Sequence, residues 1–167
     1  VAALACVARI GGAYRTCDVS VFGAIGDNRT DSTASIQAAV NACRQGGVVV
    51  FPTGIFLTSG IDVTSSQLLT LEVQPDSTVA TVRDPDPHNL ISGTNVSELV
   101  VHGGGVLDGR RASDDRRSGG ARILAFSGVD GLTVSNVTLL NAQNFHLYVY
   151  GGRRISVGNV TVPSHCG

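Results

Sequence analysis

Gly131-Leu-Thr-Val-Ser-Asn-Val-Thr-Leu139 and Arg154-Ile-Ser-Val-Gly-Asn-Val-Thr-Val162 are two copies of one pattern. Leu132, Val134, Asn136, Val137, Thr138 and Leu139 map onto Ile155, Val157, Asn159, Val160, Thr161 and Val162, every pair at an offset of 23 residues. A weaker copy, Leu99-Val-Val-His-Gly103, lies upstream, ahead of a longer insertion. A period in this range, filled by short β-branched runs and holding no helix, predicts a β-solenoid. Leucine-rich repeats share the period, but their Leu-x-x-Leu-x-Leu frame is missing. In a solenoid each turn of chain is one rung. Equivalent positions stack, so inward Leu, Ile and Val form ladders, and Asn136 can hydrogen-bond to Asn159 up the stack.

The same texture extends back to Gly47. Short apolar runs alternate with Gly, Asn, Asp and Ser: Val48–Phe51, Ile55–Leu57, Leu68–Val73, Thr78–Val82, Glu98–His102, Ile123–Phe126, Leu132–Leu140, Phe145–Tyr150 and Ile155–Val162. The connections are not the two-residue Asn-Gly turns that close hairpins, so a meander is disfavoured. Residues 17–24 read as a short strand and Gly26-Asp27-Asn28 as a turn. Asp31 is the expected N-cap of a helix. Ile36, Ala39, Val40 and Cys43 form the single apolar face of that helix, and Gly46-Gly47 is its expected stop. The expected organisation is an N-terminal segment at 1–16, a first strand and capping helix at 17–47, and parallel rungs at 48–167.

The chain has 167 residues, 43% of them hydrophobic, enough for a packed core. Its basic residues are all Arg and its net charge is −1, which gives no electrostatic case for nucleic acid or an acidic membrane. The longest apolar stretch, Val1 to Ala8, is too short to span a bilayer. Cys6, Cys17, Cys43 and Cys166 show no C-x-x-C spacing, which argues against a zinc site. Together with sequons at Asn28, Asn95, Asn136 and Asn159 they point to a secreted, disulfide-bonded glycoprotein. Cys17 heads the first strand and Cys43 lies on the helix face that covers it, so a Cys17–Cys43 bridge is one of three open connectivities. Asn28 and Asn95 read as accessible loop residues. Stacking competes with a glycan at Asn136 and Asn159. His88 and His165 have no partner that suggests a metal, and Asp84 and Asp86 around Pro85 read as a turn. No metal or cofactor is expected.

Phe22-Gly-Ala-Ile-Gly-Asp27 with Thr30-Asp31, the segment Ala34-Ser-Ile-Gln-Ala-Ala-Val40, and Gly46-Gly-Val-Val-Val-Phe-Pro-Thr-Gly54 resemble the opening of pectin-lyase-like right-handed parallel β-helices. Val100-Val-His-Gly-Gly-Gly-Val-Leu-Asp-Gly109, Arg122-Ile-Leu-Ala-Phe126, Leu132–Asn141 and Phe145-His-Leu-Tyr148 are similar, in order, to the polygalacturonases of glycoside hydrolase family 28. The resemblance runs from about Cys17 to Pro163. It implies an all-β right-handed parallel β-helix of about five rungs with an N-terminal capping helix. It also implies inverting hydrolysis of pectic, uronic-acid polysaccharide in the extracellular space or cell wall.

The family's catalytic strings are Asn-Thr-Asp-Gly, Asp-Asp, Gly-His-Gly and Arg-Ile-Lys. Inversion requires one carboxyl to protonate the leaving oxygen and another to activate water, about 6.5–9.5 Å away. None of these strings is carried over to this sequence. Asp114-Asp115 lies upstream of the family's pair, and His102 is not the family's Gly-His-Gly histidine. No residue here is therefore assigned to catalysis, and the chain alone is expected to be inactive. A solenoid that stops at Gly167 would leave its last rung open, to be covered by more chain, a partner protein or a second copy.

Phe145, Leu147 and Val149 alternate with His146, Tyr148 and Tyr150; with the first set inward, the second faces out. The resemblance puts this strand on the groove face, so His146 and Tyr148 are candidate sugar-subsite residues; the competing reading is an ordinary exposed strand. The insertion at 109–122 carries Arg110, Arg111, Arg116, Arg117 and Arg122 against Asp114 and Asp115. It reads first as a solvated, self-compensated loop or a protein contact, and second as a holder of uronate carboxylates. Two other functions remain open: a non-catalytic structural or carbohydrate-binding module, and a polysaccharide lyase of the same superfamily.

Overall fold

A computed structural model describes residues 15–82, 89–110 and 121–163. Cys6, Cys166, Asp84, Asp86, His88, His165, Arg111, Asp114, Asp115, Arg116 and Arg117 lie outside the described residues. The described chain opens with β1 (Arg15–Asp18), β2 (Asp27–Asp31) and α1 (Thr33–Cys43). It then coils. One turn is β3 (Gln45–Phe51), β4 (Gly54–Thr58) and β5 (Ile61–Asp62). The next is β6 (Gln67–Val73), β7 (Ser77–Thr81) and β8 (Ile91–Thr94). The third is β9 (Ser97–His102), β10 (Val106–Asp108) and β11 (Leu124–Ser127). Then come β12 (Asp130–Leu140), β13 (Leu147–Tyr150) and β14 (Arg153–Thr161).

Each strand pairs in parallel with its counterpart one turn later. Three faces result. The first is β1-β3-β6-β9-β12-β14, the second β2-β4-β7-β10-β12, and the third β5-β8-β11-β13. β12 runs through two faces without a break. The offset read from the repeat is the observed register: Leu132 pairs with Ile155, Val134 with Val157 and Val137 with Val160.

The core is a set of ladders. Val49, Leu71, Val101 and Val134 stack on the first face, Phe56, Val79, Leu107 and Leu139 on the second, and Ile61, Ile91, Leu124 and Leu147 on the third. All but Leu147, at the last turn of its face, are buried, and each fully buried side chain of this size contributes about 1.5–3 kcal/mol. Helix α1 closes one end, with Ile36, Ala39, Val40 and Cys43 buried against the first turn. Cys17 and Cys43 form a disulfide across that junction, with Cα atoms 6.3 Å apart.

The N-terminal elements depart from the sequence reading in three places. The strand expected over 17–24 ends at Asp18, because Asp18 Oδ1 accepts the Ser20 N–H at 2.9 Å and turns the chain. The helix starts one residue later than expected. Ser32 is the N-cap position, its hydroxyl engaged with the Ile25 backbone, while Asp31 Oδ1 accepts the Thr33 N–H at 2.9 Å. Gly46 and Gly47 belong to β3 rather than to the helix stop. Gly47 is required by close approach: a Cβ there would lie 2.7 Å from Cys43 Sγ and 2.8 Å from the Arg15 carbonyl oxygen.

Left-handed residues mark the corners. Gly46, Leu68, Glu98, Gly131 and Arg154 all have positive φ and occupy the same place in successive first-face strands. Ser65, Asn95, Gly128 and Gly151 form a second such column where the third face passes into the first.

Candidate functional site

The third face displays its side chains alternately. Leu124 and Phe126 point in, so Ala125 and Ser127 point out and pair with Tyr148 and Tyr150 of β13. Ser92 and Thr94 continue these outward columns on β8. These columns, Tyr150 excepted, floor a depression of about 270 Å³, lined by Thr64, Asn89, Ser92, Thr94, Ser127, Arg122 and Tyr148 among others. Among the described lining residues none is Asp or Glu, and Arg122 is the charged one.

Arg122 is anchored through its backbone. Its N–H donates to Asn89 Oδ1 at 2.9 Å and its carbonyl accepts the Leu90 N–H at 2.9 Å. Its guanidinium carbon lies 4.3 Å from the centre of the Tyr148 ring, inside cation–π range. Its Nε is buried without a hydrogen-bond partner. Tyr148 in turn stacks on Phe145, with centroids 6.1 Å apart and planes at 25°. Tyr148 is 38% exposed.

Of the two sequence candidates, Tyr148 lines this depression and His146 is not among its described lining. Tyr148 is on the outer face of β13, as the alternation predicts. His146 sits on the bend just before β13, half-buried, its carbonyl accepting the Leu124 N–H at 3.0 Å. Phe145, read as inward, is outside: the strand begins only at Leu147, so the alternation does not reach it. The sequence reading has Arg122 in the Arg122–Phe126 resemblance and among the arginines of the insertion, but nothing local marks it as the partner of Tyr148.

The four sequon asparagines are all exposed and all left-handed, with φ of 62° at Asn28, 52° at Asn95, 48° at Asn136 and 49° at Asn159. Asn159 Nδ2 donates to Asn136 Oδ1 at 3.1 Å, the ladder expected from the repeat. Asn28 Oδ1 accepts from Arg110. On the first-face corner Asp130 binds Arg153 at 2.6 Å and Arg154 at 2.8 Å, and Arg154 also reaches Glu98 at 2.5 Å. Hydrogen bonds from Arg154 and Arg153 hold the Asp130 carboxyl below the usual carboxylate range. Among the described residues, no cluster of three His, Cys, Asp or Glu converges as a metal site, and no helix is long and apolar enough to cross a membrane.

Residues 16–70 match the family model described as rhamnogalacturonase A/epimerase, pectate lyase-like. The chain is 29% identical to an exopolygalacturonase of Zea mays, over 94% of the chain and 42% of that protein. It is also 29% identical to rhamnogalacturonase A of Aspergillus aculeatus, over 81% of the chain and 31% of that protein. The chain thus spans about a third to two fifths of the length of these relatives. Among solved structures, the exopolygalacturonase of Thermotoga maritima superposes with a TM-score of 0.77 at 17% identity, over 93% of this chain and 48% of that one. The polygalacturonase of Erwinia carotovora superposes at 0.70 and 19%, over 89% and 49%. At these identities the superpositions carry the fold, and they give the helix its right hand.

Proposed function

We propose that this chain, a polygalacturonase-like right-handed parallel β-helix of partial length, is the capped N-terminal part of a secreted glycoside hydrolase acting on pectic, uronic-acid polysaccharide. The observation that carries the reading is the third face. It is a shallow open strip floored by hydroxyls and edged by Arg122 and the exposed rim of Tyr148, a polar lining suited to the hydroxyls of a sugar. In this reading Tyr148 and His146 belong to a sugar subsite upstream of the hydrolytic centre.

The hydrolytic step needs two carboxyl groups across the scissile bond. The described lining supplies none, so these residues bind and position the polymer, and the carboxyl pair comes from further turns of the parent polypeptide. Those turns are also the proposed cover of β14, whose Ile155 and Val157 continue the inward columns yet are 42% and 52% exposed. The Cys17–Cys43 disulfide supports an oxidising, extracellular setting, and Asn28 and Asn95 are the favoured glycan acceptors.

A reducing-end assay on polygalacturonate tests this reading. The 167-residue chain should release no new ends, and the parent polypeptide should. Turnover by the chain alone would overturn the placement of catalysis elsewhere. An inactive parent that still binds the polymer would replace the hydrolase with a carbohydrate-binding module.

A further inference from the structure

We propose that Arg122 is the residue with which the third face reads a carboxylate on a sugar ring, and so selects uronate over neutral units. The inference rests on the polysaccharide reading above and adds the group that decides which sugar is taken.

The geometry presents Arg122 as a fixed fork. Its backbone is tied on both sides, to Asn89 and Leu90. Its guanidinium carbon lies over the Tyr148 ring, 4.3 Å from the centroid, and Phe145 stacks on the tyrosine. Stacking on an aromatic face uses none of the guanidinium N–H groups, which lie in its plane. Other arginines of the chain spend theirs on the protein. Arg44 takes the carbonyls of Thr64 and Asp62 and the Asp62 carboxylate, while Arg153 and Arg154 share Asp130. Arg122 holds no carboxylate among the described residues, and the described lining of the depression it edges has hydroxyls but no acid. Among the described lining residues the one charge is thus positive, and it is carried on a planar group that can meet a carboxylate bidentately. A sulfate ester shares the charge but is tetrahedral, and a methyl ester shares the shape but not the charge.

Calorimetric titration of the protein with a short oligogalacturonate, its fully methyl-esterified form and a sulfated galactan oligosaccharide tests this. The acid oligomer should bind best. Arg122→Gln should lower its affinity about tenfold or more and leave the methyl ester unchanged. Arg122→Lys, which keeps the charge without the fork, should recover only part of the loss. An unchanged circular dichroism spectrum certifies the fold of each variant. Undiminished binding of the acid oligomer by Arg122→Gln overturns the assignment. So does equal binding of the ester, or tighter binding of the sulfated oligomer, by the unaltered chain; in these cases the polysaccharide reading stands. Binding of none of the three overturns both.

Discussion

Gly103 has φ of +126°, and a Cβ placed there would lie 2.3 Å from the Val73 carbonyl oxygen. Gly103→Ala should therefore destabilise the fold by about 2 kcal/mol or more, read as a lowered denaturant midpoint. The left-handed asparagines make a second point at this scale. Asn136 and Asn159 sit on adjacent turns with their side chains bonded, so two glycan roots there would be about one strand spacing, ~4.8 Å, apart. Peptide mapping of protein secreted by a glycosylating host should find glycans on Asn28 and Asn95 and never on Asn136 and Asn159 of the same molecule; the doubly modified peptide pair would refute this. The Asn136–Asn159 stack was legible because both residues stand at the same place in a visible repeat. Leu68, Glu98 and Arg154 were not legible as corner residues, since nothing in a leucine, a glutamate or an arginine signals a positive φ. Only their stacking with Gly46 and Gly131 reveals it.

Strands whose inward residues are β-branched or leucine, such as β3, β6, β9 and β12, could be read directly from the sequence. β5, β8 and β10 could not: they are two to four residues long and contain Asp62, Gly93 or Asp108. What makes them strands is the neighbouring turn, which offers a ladder of unpaired backbone groups. The period was visible only between β12 and β14. The steps from Gln67 to Ser97 and from Ser97 to Asp130 are wider, so the copies lose a common offset. The junction of α1 with the first turn is held by burial and by one covalent bond. Closing a loop of this length (the cysteines are 26 residues apart) should contribute about 3 kcal/mol. Reduction, or a Cys17→Ser, Cys43→Ser double variant, should lower the melting temperature without altering the strand content seen by circular dichroism. At the opposite end Asp130 ties β14 to β12 through Arg153 and Arg154. Folding lowers its pKa, so its contribution is complete above the unfolded value of about 3.9 and is lost as pH falls through the lower folded value. The protection of β14 amides against hydrogen exchange, relative to the intrinsic rate at each pH, should therefore decrease below pH ~4, and Asp130→Asn should remove that pH dependence.

Over the whole molecule, one inward column passes from full burial to the surface. Val134 is wholly buried and Val157, stacked on it one turn later, is half-exposed. The same substitution should therefore read differently at the two positions. Val134→Thr should cost about 1–3 kcal/mol, since it buries a hydroxyl. Val157→Thr should stay within about 0.5 kcal/mol in this chain. Equal effects would mean that Val157 is covered in solution. The parallel coil has a further consequence, for the order of events. Each strand finds its partner one turn earlier in the chain, so no pairing has to wait for a distant segment. An all-β protein is usually slow to fold because its contacts close long loops. Here the helix-covered first turn can form before the next is complete, and each finished turn is the template for its successor. Such a chain can assemble in the direction in which the ribosome delivers it.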